Sequence, residues 1–199
     1  ICSHLADSTN ESFTKKQMNN FDFICDYFMK NYHSKIERHL FNSKATIKYK
    51  NKYELVRLGI GLFGVTNNKG LHQISTMTSV VSQIKIINQG EFVGYGMNYC
   101  SKERVKIGII PFGYADGIYE KKNSDNYYVF IKNNKYKVIG DISMDSLAVN
   151  LENSKIEEGD KVILFDSNYT IKEIAKSCNT SEHEMLSKLN RRIKREYYS

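Results

Sequence analysis

The first third of the chain begins with a helical pattern of apolar and polar positions. Capping-box spacing from Thr14 to Gln17 predicts that a helix starts there and continues to about Tyr32. Apolar residues recur at three- and four-residue intervals along this segment, which predicts one buried face. The residues expected on or beside that face are Met18, Phe21, Ile24, Cys25 and Phe28.

Extended and helical patterns then alternate as far as Gly64. Strands are predicted at residues 1–5, 36–41 and 55–64, and a short helix or turn at residues 44–52. Strands that alternate with helices favour a parallel sheet, and in a parallel α/β barrel the functional groups gather where strands end. The residues predicted at that rim are His4, Asn42, Ser43, Arg57, Gly59 and Ile60.

After Gly70 the pattern changes to many short strands separated by turn residues. This pattern favours a closed or sandwiched β domain. Near the C-terminus, Thr170 and Ser181 each stand three residues before a glutamate, which predicts two capped helices. The strands are predicted at residues 79–87, 105–110, 128–131 and 134–140 (a hairpin around 133–134), 146–151 and 161–165, with a short glycine-flanked segment at 91–96 and a last basic strand at the C-terminus.

Composition limits the class of protein. The 199 residues suffice for one large domain or two small ones, and the formal net charge is +7. The basic run Lys188–Arg195 could contact phosphates or form a solvated edge, so a β-rich nucleic-acid-binding module stays open. The four cysteines match no zinc spacing and favour reduced thiols in a cytoplasmic protein. No apolar run reaches the ~20 residues of a membrane span.

The segment 55–64 contains the letters G-x-G-x-x-G at Gly59, Gly61 and Gly64. A Rossmann site requires a helix after the glycines, whereas a loop is predicted at residues 66–70. Backbone amides of a glycine turn can hold a phosphate without that fold. Because Arg57 keeps its proton and stands two residues before Gly59, this turn is a candidate anion site.

Three further positions could carry chemistry. Tyr95 stands between two glycines and could project into a cleft or pack inside a β-bulge. The segment Gly113–Gly117 is a turn with Tyr114 near its start, and 140–145 places Asp, Ser, Met and Asp between two strands. Single histidines are often structural, and we interpret those other than His4 as structural or exposed, without metal spacing: His33, His39, His72 and His183.

Taken in order, these motifs resemble alanine racemases over essentially the whole chain. The resemblance implies residues 1–68 as the last βα units of a (β/α)8 barrel that binds pyridoxal 5'-phosphate. It implies residues 69–199 as a mostly antiparallel C-terminal β domain with two short helices. It further implies a homodimeric isomerase that supplies D-alanine to peptidoglycan. The motifs are His4, Asn42–Ser43, Val56–Ile60, Val93–Gly96, Gly113–Gly117 and Ser143–Asp145.

The resemblance also implies roles for individual residues in holding the cofactor. Ser43 and the backbone amides of Gly59 and Ile60 match positions that contact the cofactor phosphate. Arg57 matches the arginine that faces the pyridine nitrogen. An arginine donates a hydrogen bond there but yields no proton, so the ring remains a weaker electron sink.

Other positions match groups that act on the substrate. Tyr95 matches the catalytic tyrosine, which reaches the cofactor of the other subunit and transfers a proton on one face of Cα. His4 matches the histidine that links this tyrosine to Arg57. Met144 matches the residue whose backbone amide meets the substrate carboxylate, and Tyr114 matches a tyrosine of the substrate corridor.

The sequence departs from the family in two ways. No string resembles V-K-A-N-A-Y-G-H-G, which carries the lysine that attaches the cofactor, so we expect this chain to be incomplete and inactive alone. Asp141 stands where an arginine is common, and Arg191 where some members have a tyrosine. These departures leave a serine or broad-specificity racemase open, and the missing lysine leaves a non-catalytic dimerisation module open.

Overall fold

The computed structural model describes residues 1–66, 70–118 and 127–198, in two compact units, Ile1–His72 and Gln73–Ser199. The domain boundary predicted between residues 68 and 69 and part of the loop predicted at 66–70 lie outside the described residues. None of the helices in the described ranges has the length and apolar character needed to span a membrane.

The first unit is built from helices and a parallel pair of strands. Strands β1 (His39–Asn42) and β2 (Leu55–Arg57) pair in parallel, as the alternation of strand and helix predicts. Asn42 ends β1 and caps the next helix, because its side-chain oxygen accepts a hydrogen bond from the Ala45 N–H at 3.0 Å. The elements are α1 (Glu11–Asn31), β1 (His39–Asn42), α2 (Ser43–Lys48), β2 (Leu55–Arg57) and a 3₁₀ helix (Ile60–Phe63).

Helix α1 starts earlier than the capping-box spacing predicts. Asn10 is its N-cap and accepts a hydrogen bond from the Phe13 N–H at 3.1 Å, so the predicted cap at Thr14 is wrong. Thr14 is buried inside the first turns, and its hydroxyl donates to the Asp7 carbonyl oxygen at 2.9 Å. An asparagine at the boundary satisfies the free amides one turn earlier, which moves the start of the helix.

The buried face of α1 also differs in part from the prediction. Phe21 and Cys25 are buried, as expected, but Ile24 and Phe28 are exposed. The stripe that packs in the first unit runs through Thr14, Met18, Phe21, Cys25 and Met29. One helical position corresponds to a rotation of about 100°, so a stripe displaced by one residue leaves Ile24 and Phe28 outside.

The second unit is organised around a seven-stranded sheet. Its strands are β3 (Met77–Val80), β4 (Gln83–Ile87), β7 (Val105–Ile110), β8 (Tyr128–Ile131), β9 (Asn134–Ile139), β10 (Leu147–Asn150) and β11 (Lys161–Phe165), with a separate pair β5 (Phe92–Val93) and β6 (Tyr99–Cys100).

The strand order in this sheet is β3-β11-β8-β9-β10-β7-β4, with antiparallel pairings throughout. Only Val81 and Ser82 separate β3 from β4, which are the first and last strands of the order. A two-residue link cannot cross a flat seven-stranded sheet, so the sheet curls back on itself.

The helices of the second unit begin at the predicted caps. Thr170 and Ser181 accept hydrogen bonds from the backbone amides three residues later and start α3 (Ile171–Ser177) and α4 (Glu182–Lys188). The continuous strand predicted at 79–87 is instead two strands, and the last basic strand does not form. Arg195 donates to three nearby backbone carbonyls, which favours a compact irregular end over an extended strand.

Candidate functional site

Arg57 lies at the end of β2 and is held by four acceptors in the first unit. Its Nη2 donates to the Ser3 carbonyl oxygen at 2.6 Å and lies 2.9 Å from His4 Nδ1. Its Nη1 lies 2.6 Å from His39 Nδ1 and 3.4 Å from the His39 carbonyl oxygen. These four acceptors, all uncharged, fix the direction of the guanidinium without neutralising its charge.

The contacts of Arg57 also fix the chemical form of two histidines. A guanidinium has only donors, so Nδ1 of His4 and of His39 must accept. Each imidazole is therefore neutral and carries its hydrogen on Nε2. His39, interpreted as structural or exposed, is half-buried and has a structural role, because its ring orients Arg57. The available sequence signal was its position three residues before Asn42, in the strand that pairs with β2.

Ser43 and the glycine turn come together as the rim prediction requires. The buried Ser43 Oγ accepts hydrogen bonds from the amides of Gly59 at 2.9 Å and Gly61 at 3.2 Å. A Cβ on Gly61 would lie 3.1 Å from Ser43 Cβ and Oγ, so this approach favours glycine. A Cβ on Gly59 would meet nothing within 4 Å. At this turn, the lone pairs of the Ser43 hydroxyl are occupied, and the space beside Gly59 is open.

Tyr95 lies in the second unit on a short 3₁₀ turn formed by Tyr95–Met97. Its side chain is 75% exposed, so the alternative of a packed aromatic in a β-bulge is wrong. Gly94 and Gly96 have φ values of 80° and 68°, a region that residues with a Cβ rarely adopt. These glycines allow the chain to turn at Tyr95, whose side chain is left largely exposed.

Tyr114 and Met144 lie on two segments that are bonded through their backbones. The Tyr114 N–H donates to the Ser143 carbonyl oxygen at 3.1 Å, and the Ala115 N–H donates to the Met144 carbonyl oxygen at 3.0 Å. A Cβ on Gly113 would come within 2.3 Å of both carbonyl oxygens, so only glycine permits this approach. The structure thus places the two predicted substrate residues next to each other, with both side chains exposed.

A cavity of about 300 Å³ connects the Tyr95 turn with the segment that precedes Met144. Tyr95, Asp141 and Ser143 contribute to its wall, together with apolar side chains of β7 and β10. The Asp141 carboxylate accepts a hydrogen bond from Asn98 Nδ2 at 2.5 Å, which ties the Tyr95 turn to the 140–145 segment. The sequence identified Asp141 as part of the unusual 140–145 segment and as a departure from a family, but it carried no signal for Asn98.

Part of the basic run near the C-terminus is paired with acidic side chains. Arg192 forms ion pairs with Asp116 and Asp145 at 2.7 Å each, and Lys194 pairs with Glu196. These contacts occupy side chains that the nucleic-acid hypothesis requires for phosphates. Asp116 was predicted only as a turn residue, and neither Asp116 nor Asp145 could be matched to an arginine 76 or 47 positions away.

Comparison with known proteins gives matches along nearly all of the chain. The family model described as the alanine racemase N-terminal domain matches residues 1–67, and the alanine racemase C-terminal domain matches residues 74–197. An alanine racemase of Borreliella burgdorferi is 34% identical over 208 residues, which cover 99% of this chain and 55% of that protein.

Solved structures agree with these family matches. An alanine racemase of Clostridium difficile 630 in complex with cycloserine has a TM-score of 0.85 and 29% identity, over 96% of this chain and 54% of that one. An alanine racemase of Bartonella henselae with covalently bound pyridoxal phosphate has a TM-score of 0.87 and 27% identity, over 100% and 56%. The chain spans about half the length of the relatives it matches. By its two family domains, this chain belongs to the alanine racemase family.

Proposed function

We propose that the protein formed with this chain is a racemase that interconverts L- and D-alanine with pyridoxal 5'-phosphate, providing D-alanine for peptidoglycan. The observation that carries the proposal is Arg57, whose charge is oriented by uncharged acceptors beside a glycine turn that approaches Ser43. A cationic group held in this way is available to a ligand, because no carboxylate among the described residues is bonded to it.

The residues of the first unit fit the phosphate of this cofactor. The Ser43 hydroxyl accepts two amide hydrogen bonds and therefore has its own hydrogen left to donate. Open space beside Gly59 would admit an anion close to the backbone. Ser43 and the backbone at Gly59 and Ile60 would hold the phosphate, although the Gly59 amide donates to Ser43 Oγ in this structure, and Arg57 would face the ring nitrogen. When bound, the cofactor supplies the electron sink that acidifies Cα of an amino acid.

Arg57 would moderate that electron sink. Since the guanidinium does not lose its proton, it offers the ring nitrogen a hydrogen bond and no proton. Withdrawal of electrons from Cα would then be weaker, which would limit side reactions at that carbon. The two neutral histidines support this role because they orient the guanidinium without adding charge.

Tyr95 would exchange a proton on one face of Cα, and a lysine of a motif not found in this sequence would act on the other face. His4 carries its hydrogen on Nε2, which can donate to the oxygen of a tyrosine that has lost its proton. We infer that, in a homodimer, Tyr95 of one copy acts at the site that contains His4 and Arg57 of the other copy. The 75% exposure of Tyr95 supports this arrangement.

The substrate would be bound by the second unit through Met144 and Tyr114. The Met144 amide would meet the substrate carboxylate, and Tyr114 would line the approach to it. A serine or broad-specificity racemase is the second candidate, favoured by Asp141 on the wall of the cavity. The two candidates differ in their relative turnover of alanine and serine. Equal or faster turnover of serine would remove alanine as the proposed substrate.

The deciding experiment compares the protein as produced by its source organism with its Tyr95→Phe variant, both in the presence of added cofactor. Racemisation of alanine should fall by about 100-fold or more, because one of two acid-base groups is lost. In D₂O, the variant should still exchange the Cα hydrogen of one enantiomer through the remaining base. Equal loss of exchange for both enantiomers would contradict a two-base reaction. Assay of this chain alone tests whether it is inactive by itself.

A cytoplasmic location belongs to the same proposal. Among the described residues none of the cysteines is in a disulfide, which is the usual state in a reducing compartment. A non-catalytic dimerisation module is the alternative from another class. Cofactor binding by the source protein without any racemisation or Cα exchange would favour that alternative.

A further inference from the structure

Three separate segments of the second unit meet at the guanidinium of Arg192. Its Nε donates to Asp116 Oδ1 and its Nη2 to Asp145 Oδ1, at 2.7 Å each. Asp116 ends the 3₁₀ turn that carries Tyr114, and Asp145 directly follows Met144. The planar fork of an arginine suits this geometry, since its donors point in two fixed directions. Arg192 therefore bridges the two segments that carry the proposed substrate residues.

Asp116 is a buried carboxylate that depends on these partners. Burial alone would raise the pKa of Asp116, but hydrogen bonds from Arg192 and from the Gly113 N–H outweigh it, and the pKa is lowered. The same residue fixes the C-terminal segment, because its carbonyl oxygen accepts a hydrogen bond from the Asn190 N–H at 3.1 Å. Removing the arginine would leave a buried charge without its strongest partner.

The backbones around this bridge are packed too closely for side chains at two positions. A Cβ on Gly117 would lie 2.4 Å from the Lys188 carbonyl oxygen, and a Cβ on Gly113 would lie 2.3 Å from the Met144 carbonyl oxygen. The turn, the Met144 segment and the end of α4 thus touch through their backbones. The turn thus contacts each of the other two segments directly.

We propose that Arg192 is a positioning residue that holds the Tyr114 turn and the Met144 segment at the separation needed to bind the substrate carboxylate. This inference rests on the proposed function, in which the Met144 amide meets that carboxylate. It also gives Arg192, one residue of the basic run at the C-terminus, a role within the fold.

The test compares Arg192→Gln and Arg192→Lys in the protein as its source makes it. Lys194→Gln is the matched control, because it removes one positive charge from the same segment and its partner is the exposed Glu196. Steady-state kinetics with alanine give KM and kcat separately. Hydrogen exchange of peptides that cover residues 113–117 and 143–146 reports on the two segments without any requirement for activity.

We expect Arg192→Gln to raise KM for alanine about tenfold while kcat changes less than about threefold, since a displaced binding group weakens substrate binding first. Amide exchange should accelerate in both peptides and stay unchanged in β8 and β9. Arg192→Lys should recover part of the loss, because it keeps the charge but not the fork. Lys194→Gln should match the wild type in both measurements.

Unchanged exchange in both peptides, or unchanged KM, would overturn the positioning role. If the wild type does not racemise alanine, the proposed function fails, while hydrogen exchange still decides whether Arg192 holds the two segments. Should Arg192→Gln fail to accumulate as folded protein, the same two measurements are made on Arg192→Lys. Wild-type exchange and KM in that variant would then overturn the proposal.

Discussion

Arg57 in the first unit and Arg192 in the second show two uses of the same side chain. Arg57 donates to two carbonyl oxygens and two neutral imidazoles, whereas Arg192 donates to two carboxylates. The partners of Arg57 orient a charge and leave it available, and those of Arg192 neutralise it. An arginine with uncharged partners at a strand end is therefore a candidate for ligand binding. An arginine between two acids is a candidate for positioning.

The largest expected effect tests the available charge of Arg57. Arg57→Gln should lower kcat/KM for alanine by about 100-fold, because it removes a fixed cationic donor at the proposed ring position. Arg57→Lys should recover little, since an ammonium does not reproduce the planar fork. The control is Arg38→Gln in the same unit, whose guanidinium already pairs with Glu54. Comparable losses of kcat/KM in Arg57→Gln and Arg38→Gln would contradict the distinction between an arginine with uncharged partners and an arginine paired with an acid.

The next effect separates open space from close contact in the glycine turn. Gly59→Ala should leave the free energy of unfolding near that of the wild type, because its methyl group meets nothing within 4 Å. It should weaken binding of pyridoxal phosphate about tenfold if the phosphate occupies that space. Gly61→Ala should instead destabilise the fold by about 1 kcal/mol through its contact with Ser43. Denaturant unfolding and an absorbance titration with the cofactor measure the two effects.

A smaller effect concerns how the second unit holds Tyr95. Asp141→Ala removes the acceptor of the Asn98 hydrogen bond and should lower kcat about threefold, because the tyrosine turn loses a restraint. Glu152→Ala is the control, an exposed acid in another turn of the same unit. Kinetics with alanine and with serine are measured for both variants. A changed preference between the two substrates would assign Asp141 to specificity and not to positioning.

The smallest effect is a pH dependence in the first unit. The hydrogen bond from Arg38 is the main cause that lowers the pKa of Glu54 from 4.5 to about 2. Because the pKa of Glu54 is lowered in the folded state, the pair of Arg38 and Glu54 contributes to stability above pH 4.5, and this contribution is lost as pH falls toward 2. Because the pair is partly exposed, we expect a shift in melting temperature of only about 2 °C. Glu54→Gln should remove this part of the decrease in melting temperature at low pH. If the melting temperature of this variant depends on pH as that of the wild type does, the prediction is contradicted.

Local patterns predicted the elements of the fold better than their boundaries. The caps at Thr170 and Ser181 and the strand Lys161–Phe165 were predicted correctly, because neighbouring residues decide them. Thr14 failed as a cap because Asn10 offered an acceptor one turn earlier. Ile24 and Phe28 failed as core residues because the orientation of a helix depends on the surface it packs against.

The candidate site was predictable wherever a motif contained it. The rim residues Ser43, Arg57 and Gly59 follow from their positions at strand ends, and the structure brings Ser43 and Gly59 together. The partners of those residues were not predictable. His39 was assigned no role, and the contact of Asn98 with Asp141 joins residues 43 positions apart. A hydrogen bond between such distant residues leaves no local pattern in either segment.

The sequence by itself determined where most of the strands and helices lie along the chain, and it contains the motifs that resemble one family. Only the tertiary structure decided which charges are neutralised and which stay available. Arg57 lies in an apolar stretch and Arg192 in a basic run, yet neither context along the chain identifies the partners of the arginine. Their difference arises from the acceptors that folding brings within 3 Å, namely two imidazoles and one carbonyl for Arg57 and two carboxylates for Arg192. Those acceptors come from segments up to 76 positions away, because hydrogen bonding depends on distance in space and not along the chain.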